Sequence, residues 1–177
     1  MTMRKSLCLA LLLAGAGLFP SAASAATAAD VKVNFIAPER FYDASLYGGY
    51  GAHRYERTVK ELEKIFQELA TRYLGPGEQI AIDVLNVDLA GEYHPYSLNA
   101  YDVRMMTEIT WPRIRLRYVL TRPNDAPLSG EEVLIDQNYM TFSGFRSGGS
   151  RTLSYERVML DRWFKSRFAA RPTPAPG

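Results

Sequence analysis

The sequence holds 177 residues, with 21 Lys and Arg against 19 Asp and Glu. So small an excess of positive charge gives no support for general binding to nucleic acids or anionic membranes, which requires a basic excess on one face. The length suits one domain with an adequate core. The single cysteine, Cys8, lies in the N-terminal apolar run. A chain that loses this run therefore has no cysteine catalysis and no thiolate metal site.

Residues 1–25 have the three-part pattern of a secretory signal peptide. Two basic residues precede an apolar run at 6–19, and small residues at 23–25 occupy the positions that a signal peptidase reads. The run is shorter than the ~20 residues that a comfortable membrane span needs. We expect cleavage after Ala25, which leaves equal numbers of acidic and basic residues and no transmembrane segment. An uncleaved N-terminal anchor is the alternative.

The first half of the mature chain predicts a strand and then a helix. Valine and phenylalanine alternate with Lys and Asn in 30–36, as in a half-buried strand. Apolar residues recur at three- and four-residue spacing in 54–74, which predicts an amphipathic helix. The apolar face of that helix consists of Val59, Leu62, Ile65, Phe66, Leu69 and Tyr73. The Gly-Pro-Gly sequence at 75–77 ends the helix.

The next segments predict three strands. Apolar residues alternate with polar ones in 79–87 and, most clearly, in 113–120, where three arginines occupy the polar positions. A turn rich in Pro, Asn and Asp then leads to a strand at 131–139. We expect Val133 and Ile135 to point inward from this strand.

The last predicted element is a helix at 153–169, with Glu156 in the first turn, where a negative charge suits the helix dipole. Its predicted apolar face consists of Val158, Leu160, Trp163, Phe164 and Phe168. The resulting order, β-α-β-β-β-α, predicts an α+β two-layer sandwich with both helices on one face of a mixed four-stranded sheet. This single domain spans 26–170, and the Pro-rich tail at 171–177 is expected to be disordered.

The predicted strand directions are up, up, down and up, which brings three long loops to one end of the sheet. These loops, at 39–53, 88–110 and 141–150, are called the loop rim below. Long loops on a rigid scaffold commonly carry function, and this rim is rich in tyrosine and holds both histidines. The tyrosines could instead pack on one another beneath the loops. The candidate ligand- or partner-binding residues are Tyr47, Tyr50, Asp88, Tyr93, His94, Tyr96, Asp102, Arg104, Tyr139 and Arg146.

An acid–base site is the competing interpretation of the rim. Its members would be Asp88, His94, Asp102 and Asp136, as in a hydrolase-type enzyme. No metal-ligand spacing and no Gly-x-Ser-x-Gly elbow accompanies them, so we expect neither a metal nor a cofactor. A second Gly/Ser-rich stretch at 143–152 could hold an anion between arginines, but it lacks the end of a phosphate-binding loop.

Three arginines form a basic stripe on one sheet face. The stripe consists of Arg113, Arg115 and Arg117. We expect it to be neutralised by cross-strand ion pairs with Asp83, Glu132 and Asp136. If the arginines were unpaired, the stripe would instead be a contact surface for a structural partner.

Several short stretches together resemble one known family. They are VDLAG at 87–91, DVRMM at 102–106, WPRI at 111–114, DQNYM at 136–140 and LSYER at 153–157. The chain resembles an exported bacterial family catalogued as domain of unknown function 3016. The resemblance implies an envelope location, the periplasm, and it carries over no catalytic residue.

The sequence favours a binding or cell-envelope accessory domain over an enzyme. Its contact surface would be the Tyr- and Gly-rich loop rim, and its partner an envelope protein, a peptide or a glycan.

Overall fold

The computed structural model describes residues 29–46, 54–93, 103–141 and 152–169. Within these ranges the regular elements are β1 (Asp30–Phe35), α1 (Glu56–Tyr73), β2 (Gln79–Asp88), β3 (Glu92–Tyr93), β4 (Arg104–Met105), β5 (Arg113–Thr121), β6 (Leu128–Ile135) and α2 (Ser154–Phe168). The predicted signal peptide at 1–25 and tail at 171–177 lie outside the described ranges. None of the helices described has the length and apolar character needed to cross a membrane.

The main sheet has the strand order β1-β2-β5-β6. β1 pairs with β2 in parallel, and the β2–β5 and β5–β6 pairs are antiparallel. The α+β class, the mixed four-stranded sheet and the strand directions are therefore as the sequence predicts. A two-residue pair, β3 with β4, forms a small hairpin inside the predicted loop at 88–110. Strands this short have no periodicity from which they could be predicted.

Both helices cover one face of the sheet and share one core with it. Leu62, Phe66 and Leu69 of α1 are buried in the same cluster as Phe164 of α2 and the alternate residues of the strands. The Tyr118 ring of β5 meets Trp163 and Phe168 edge-on, with centroids 5.5 and 5.4 Å apart. Large aromatic rings bury 150–250 Å² each, so this cluster dominates the docking of α2.

The prediction of a strand at 131–139 was wrong in both its bounds and its inward face, since β6 spans Leu128–Ile135. The strand begins at Leu128, and Val133 and Ile135 are 52% and 45% exposed, whereas Leu134 is buried. Because Val133, Leu134 and Ile135 are all apolar, the sequence shows no alternation of apolar and polar residues here. The pairing of β6 with β5 determines which of the three residues is buried. Leu134 lies opposite the buried Ile114 of β5, so both must point to the helix-covered side.

The apolar face of α2 also differs by one residue from the prediction. Met159 is buried, whereas Val158 is only partly so. Glu156 lies on the buried face together with Met159 and Leu160. The helix therefore carries a carboxylate into the core at its first turn, and this carboxylate reaches the loop rim.

Candidate functional site

The first loop of the rim continues the line of β1 beside the end of β2. The Asp43 N–H donates to the Val87 carbonyl at 3.1 Å, and the Leu89 N–H donates to the Asp43 carbonyl at 3.0 Å. Thr58 in α1 fixes the same loop, because its hydroxyl donates to the Ala44 carbonyl at 2.6 Å. The carboxylate of Asp43 is thereby held next to Asp88 by backbone pairing.

Arg104 binds the first two loops of the rim together. Its side chain is 10% exposed, and its guanidinium pairs with Asp43, with Nη2 to Oδ2 at 2.6 Å. The same guanidinium donates to four backbone carbonyls, those of Ser45, Leu89, Ala90 and Gly91, at 2.6–3.1 Å. Such a network rigidifies the loops, since each carbonyl would otherwise be left without its partner.

The third element of this framework is Glu156. Its carboxylate is buried and accepts the Ala90 N–H at 2.8 Å. Burial raises the pKa of the Glu156 carboxyl, and the Ala90 hydrogen bond and the Arg104 charge oppose this shift. The start of α2 is thus tied to the same three-residue segment that Arg104 holds.

Gly91 makes the turn between the end of β2 and the β3–β4 hairpin. Its φ is +76°, and a Cβ at this position would lie 2.6 Å from the Met105 carbonyl oxygen. Its N–H donates to the Thr110 carbonyl at 2.8 Å. Only glycine combines this backbone angle with so close an approach.

A cavity of about 350 Å³ opens beside this framework at the upper end of the sheet. It is called the rim cavity below. Its lining residues are Tyr42, Asp43, Asn86, Asp88, Leu89, Gly91, Glu92, Ile109, Thr110, Trp111 and Arg113. The cavity lies on the face of the sheet opposite the helices, because Asn86 and Asp88 pair with Arg115 and Arg113 of β5. Its size is within the usual range for small-molecule sites.

Asp88 contributes a carboxylate to the rim cavity. Burial raises the pKa of its carboxyl, and the charge of Asp43 adds to this, while the charges of Arg113 and Arg104 oppose it. No hydrogen bond from a described residue contributes to this shift. A partly buried carboxyl with a raised pKa in a cavity is a candidate for binding or proton transfer.

Arg113 contributes the opposite charge. It lies across from Asp88 in the β2–β5 register and attracts the Asp88 carboxylate, but no hydrogen bond between these two described side chains contributes to the Asp88 pKa shift. Its buried Nε has no hydrogen-bond partner among the residues that the structure describes. Buried donors are normally bonded. The Nε of Arg157 in α2 is also without a described partner, but only Arg113 of the two lines the rim cavity, where a ligand could bond to it.

Four of the ten candidate residues fall in the described ranges. Asp88 lines the rim cavity, Arg104 forms the framework, and the Tyr93 ring lies 5.2 Å from the Arg104 guanidinium carbon. Tyr139 is 1% exposed, donates to the Thr107 carbonyl at 2.7 Å and packs on Tyr155. Tyr139 therefore packs beneath the rim, as in the self-packing alternative. The others, Tyr47, Tyr50, His94, Tyr96, Asp102 and Arg146, lie outside the described residues.

The two described carboxylates of the proposed acid–base group, Asp88 and Asp136, do not share a site. Asp136 accepts from Arg162 at 2.9 Å and from the Asn138 N–H at 3.2 Å. Its side chain is therefore occupied by α2, whereas Asp88 faces the rim cavity. Because His94 and Asp102 lie outside the described ranges, the described part of this group consists of two carboxylates in different surroundings.

Only one of the three arginines in the stripe has its predicted partner among the described residues. Arg117 donates to Asp83 at 2.9 Å. Arg115 pairs with Glu131, not Glu132, and Arg113 faces the rim cavity. The predicted partners Glu132 and Asp136 lie on the other face and bind Arg167 and Arg162 of α2. The wrong partners follow from the wrong inward face predicted for β6. A shift of one residue along a strand moves every side chain to the opposite face of the sheet.

The sequence interpretation did not include Asp43, Trp111 or Arg113 among the candidate site residues of the rim, and it placed Arg113 in the basic stripe. A signal was present for Arg113. It stands at the start of β5, where an antiparallel partner places it opposite the end of β2 and thus near Asp88. Asp43 had no such signal, because its position depends on how the first loop pairs with β2.

The described residues include no group of three or more His, Cys, Asp and Glu arranged to hold a metal ion. The family model described as "Protein of unknown function (DUF3016)" matches residues 29–166. No curated protein and no solved structure matches the chain.

Proposed function

The chain belongs to the DUF3016 family of proteins of unknown function, and from this premise we propose that it is an exported periplasmic binding domain whose rim cavity holds a small polar ligand. The ligand is either a free molecule or an exposed group of an envelope peptide, glycan or protein. The bound group contacts Asp88 and Arg113 on the open face of the sheet.

One observation carries this proposal. Asp88 and Arg113 line the same cavity with opposite charges. Among the described residues, no hydrogen bond contributes to the pKa shift of the Asp88 carboxyl, and the buried Nε of Arg113 has no partner. Desolvating a charged group without a partner costs free energy, and each such group in a native structure calls for an explanation. A ligand that bonds to both side chains supplies the missing partners.

The surroundings of the cavity support a preorganised site. Arg104, Glu156 and Gly91 fix the loop segments on one side, and the strand pairing of β2 with β5 fixes the other. A site held by such contacts loses little conformational freedom when the ligand binds, and affinity gains accordingly.

A ligand screen tests the binding proposal. Single amino acids, short peptides and neutral sugars are added to ¹⁵N-labelled protein, and backbone amide shifts are mapped. We expect shifts at Asp43, Asp88 and Gly91 and none at Gly77, in the turn that joins α1 to β2 at the other end of the sheet. If every compound leaves the cavity amides unmoved, or moves only distant ones, the binding proposal is wrong.

The proposal that the protein is exported depends on the signal-peptide pattern at residues 1–25 and needs a separate test. The family match begins at residue 29, downstream of the proposed cleavage after Ala25. Expression of the full chain in a bacterium, cell fractionation and N-terminal sequencing should recover a periplasmic protein that begins at Ala26. Recovery of a chain that still begins at Met1 contradicts cleavage.

A further inference from the structure

If the rim cavity binds a small polar ligand, as proposed above, the charged residues of its lining indicate which class of ligand it binds. Three carboxylates line the cavity, but Asp43 is already paired with Arg104 at 2.6 Å, and Glu92 has other interactions. Two charged groups of the lining remain with hydrogen-bonding capacity that the described residues do not fill: the Asp88 carboxylate and the Nε of Arg113.

We infer that the rim cavity binds an α-amino-acid group as its zwitterion, with the ammonium on Asp88 and the carboxylate on Arg113. The two residues are directly opposite on adjacent antiparallel strands. Opposite side chains of such a pair begin about 5 Å apart. An α-amino acid carries its ammonium and its carboxylate on the same carbon, so it can bridge these side chains without separating the strands.

Each half of the zwitterion matches the geometry of its partner. Arginine presents a planar fork of donors that fits a carboxylate in two parallel hydrogen bonds. The Nε of Arg113, which is buried and has no bond to the part of the chain that the structure describes, belongs to one edge of that fork. A carboxylate is an acceptor-only group, so Asp88 suits the three N–H donors of an ammonium.

Ligands with a single charge fit the cavity less well. A cation alone leaves the Arg113 guanidinium without a partner, and an anion alone leaves Asp88 unpaired and adds repulsion. Both cases bury an uncompensated charge, which is strongly unfavourable. The remaining wall offers Trp111 and Ile109 to the aliphatic part of the ligand, so the side chain of the amino acid has apolar surface to contact.

Isothermal titration calorimetry with four related compounds tests the inference. L-Alanine carries both charges, alaninamide only the positive one, N-acetylalanine only the negative one, and glucose none. We expect alanine to bind at least tenfold more tightly than the other three. Asp88→Asn and Arg113→Gln should each weaken alanine binding by tenfold or more, whereas Arg115→Gln, on the same strand and paired with Glu131, should leave it unchanged.

The outcomes separate this inference from the proposal on which it rests. Equal binding of alaninamide or N-acetylalanine, or loss of alanine binding in Arg115→Gln, overturns the zwitterion. Glucose that binds more tightly than alanine, and is lost in the Asp88 and Arg113 variants, overturns the zwitterion but keeps the cavity as a binding site. No heat from any compound, together with a silent ligand screen, overturns both. Unfolding curves of each variant establish that lost binding does not reflect lost structure.

Discussion

Arg104 and Arg113 stand at the same end of the sheet and are used in opposite ways. Arg104 is almost fully buried, and its guanidinium donates to one carboxylate and four carbonyls. Arg113 is partly buried, lines the rim cavity and leaves its Nε unbonded within the described structure. Arg104 thus stabilises the fold, whereas Arg113 is available to a ligand. Replacement of Arg104 should therefore lower stability, and replacement of Arg113 should weaken binding.

Replacement of Arg104 should have the largest effect on stability. Arg104→Met leaves Asp43 and four carbonyls without their donor, and loss of one partner from a buried pair typically costs about 3–5 kcal/mol. Urea unfolding should show a loss of this size. The control is Arg115→Met, which breaks an exposed pair with Glu131 worth about 0–1 kcal/mol. If Arg104→Met and Arg115→Met lose similar amounts of unfolding free energy, Arg104 does not stabilise the fold in the way described.

Replacement of Gly91 tests the framework without removing a charge. Gly91→Ala forces a Cβ against the Met105 carbonyl oxygen at a φ of +76°, and such strain costs about 1–3 kcal/mol. Gly75→Ala is the matched control, because its nearest contact would be an ordinary 3.8 Å to Glu78. The same unfolding assay should place Gly75→Ala close to wild type. If Gly91→Ala matches this control, the turn tolerates side chains and the framework is looser than described.

The sequence predicted the fold well because its periodicity is local information. Alternation at 113–120 and helical spacing at 54–74 are properties of neighbouring residues, and the strand directions follow from them by general rules. The face of β6 could not be predicted in the same way, since Val133, Leu134 and Ile135 are all apolar. Only their register with Ile114 on another strand decides which one is buried.

The site was harder to predict for the same reason. Asp88 and Arg104 were among the candidates, yet nothing local distinguishes the role of Arg104 from that of Arg113. That role depends on Asp43 and on the carbonyls of Ser45, Leu89, Ala90 and Gly91, which pairing between distant segments brings together. Glu156 illustrates the limit again, because a first-turn carboxylate is normally at the surface, and here it is buried against Ala90.

Replacement of Arg113 should change binding and leave stability nearly unchanged. Arg113→Met keeps the aliphatic stem of the side chain and removes a guanidinium whose Nε has no partner among the described residues. We expect the free energy of unfolding to fall by no more than about 1 kcal/mol, because the variant loses an attraction to the Asp88 carboxylate but no hydrogen bond to that residue in the described structure. Binding of alanine should fall in the same protein sample. A loss of stability as large as that of Arg104→Met would mean that Arg113 also belongs to the framework.

The smallest effect should depend on pH and distinguish two carboxylates of β2. Burial raises the pKa of Asp88 above its ordinary 3.8, so the folded state binds its proton more tightly than the unfolded state does. Stability is then lost as pH rises from 3.8 through the folded pKa. Asp88→Asn removes this loss, and thermal unfolding at pH 7 should show a slightly more stable variant whose advantage disappears below pH 3.8.

Asp83 supplies the control with the opposite sign. Hydrogen bonds from Asn34 and Arg117 lower its pKa below 3.8. Its charged form therefore contributes stability above pH 3.8 that is lost as pH falls through the lowered value. Asp83→Asn should be less stable than wild type at pH 7, and the gap should narrow in acid. The two variants should thus move the melting temperature at pH 7 in opposite directions. If both lower it, Asp88 has a bonded partner in the folded protein, and the rim cavity loses the unpaired carboxylate on which its proposed function depends.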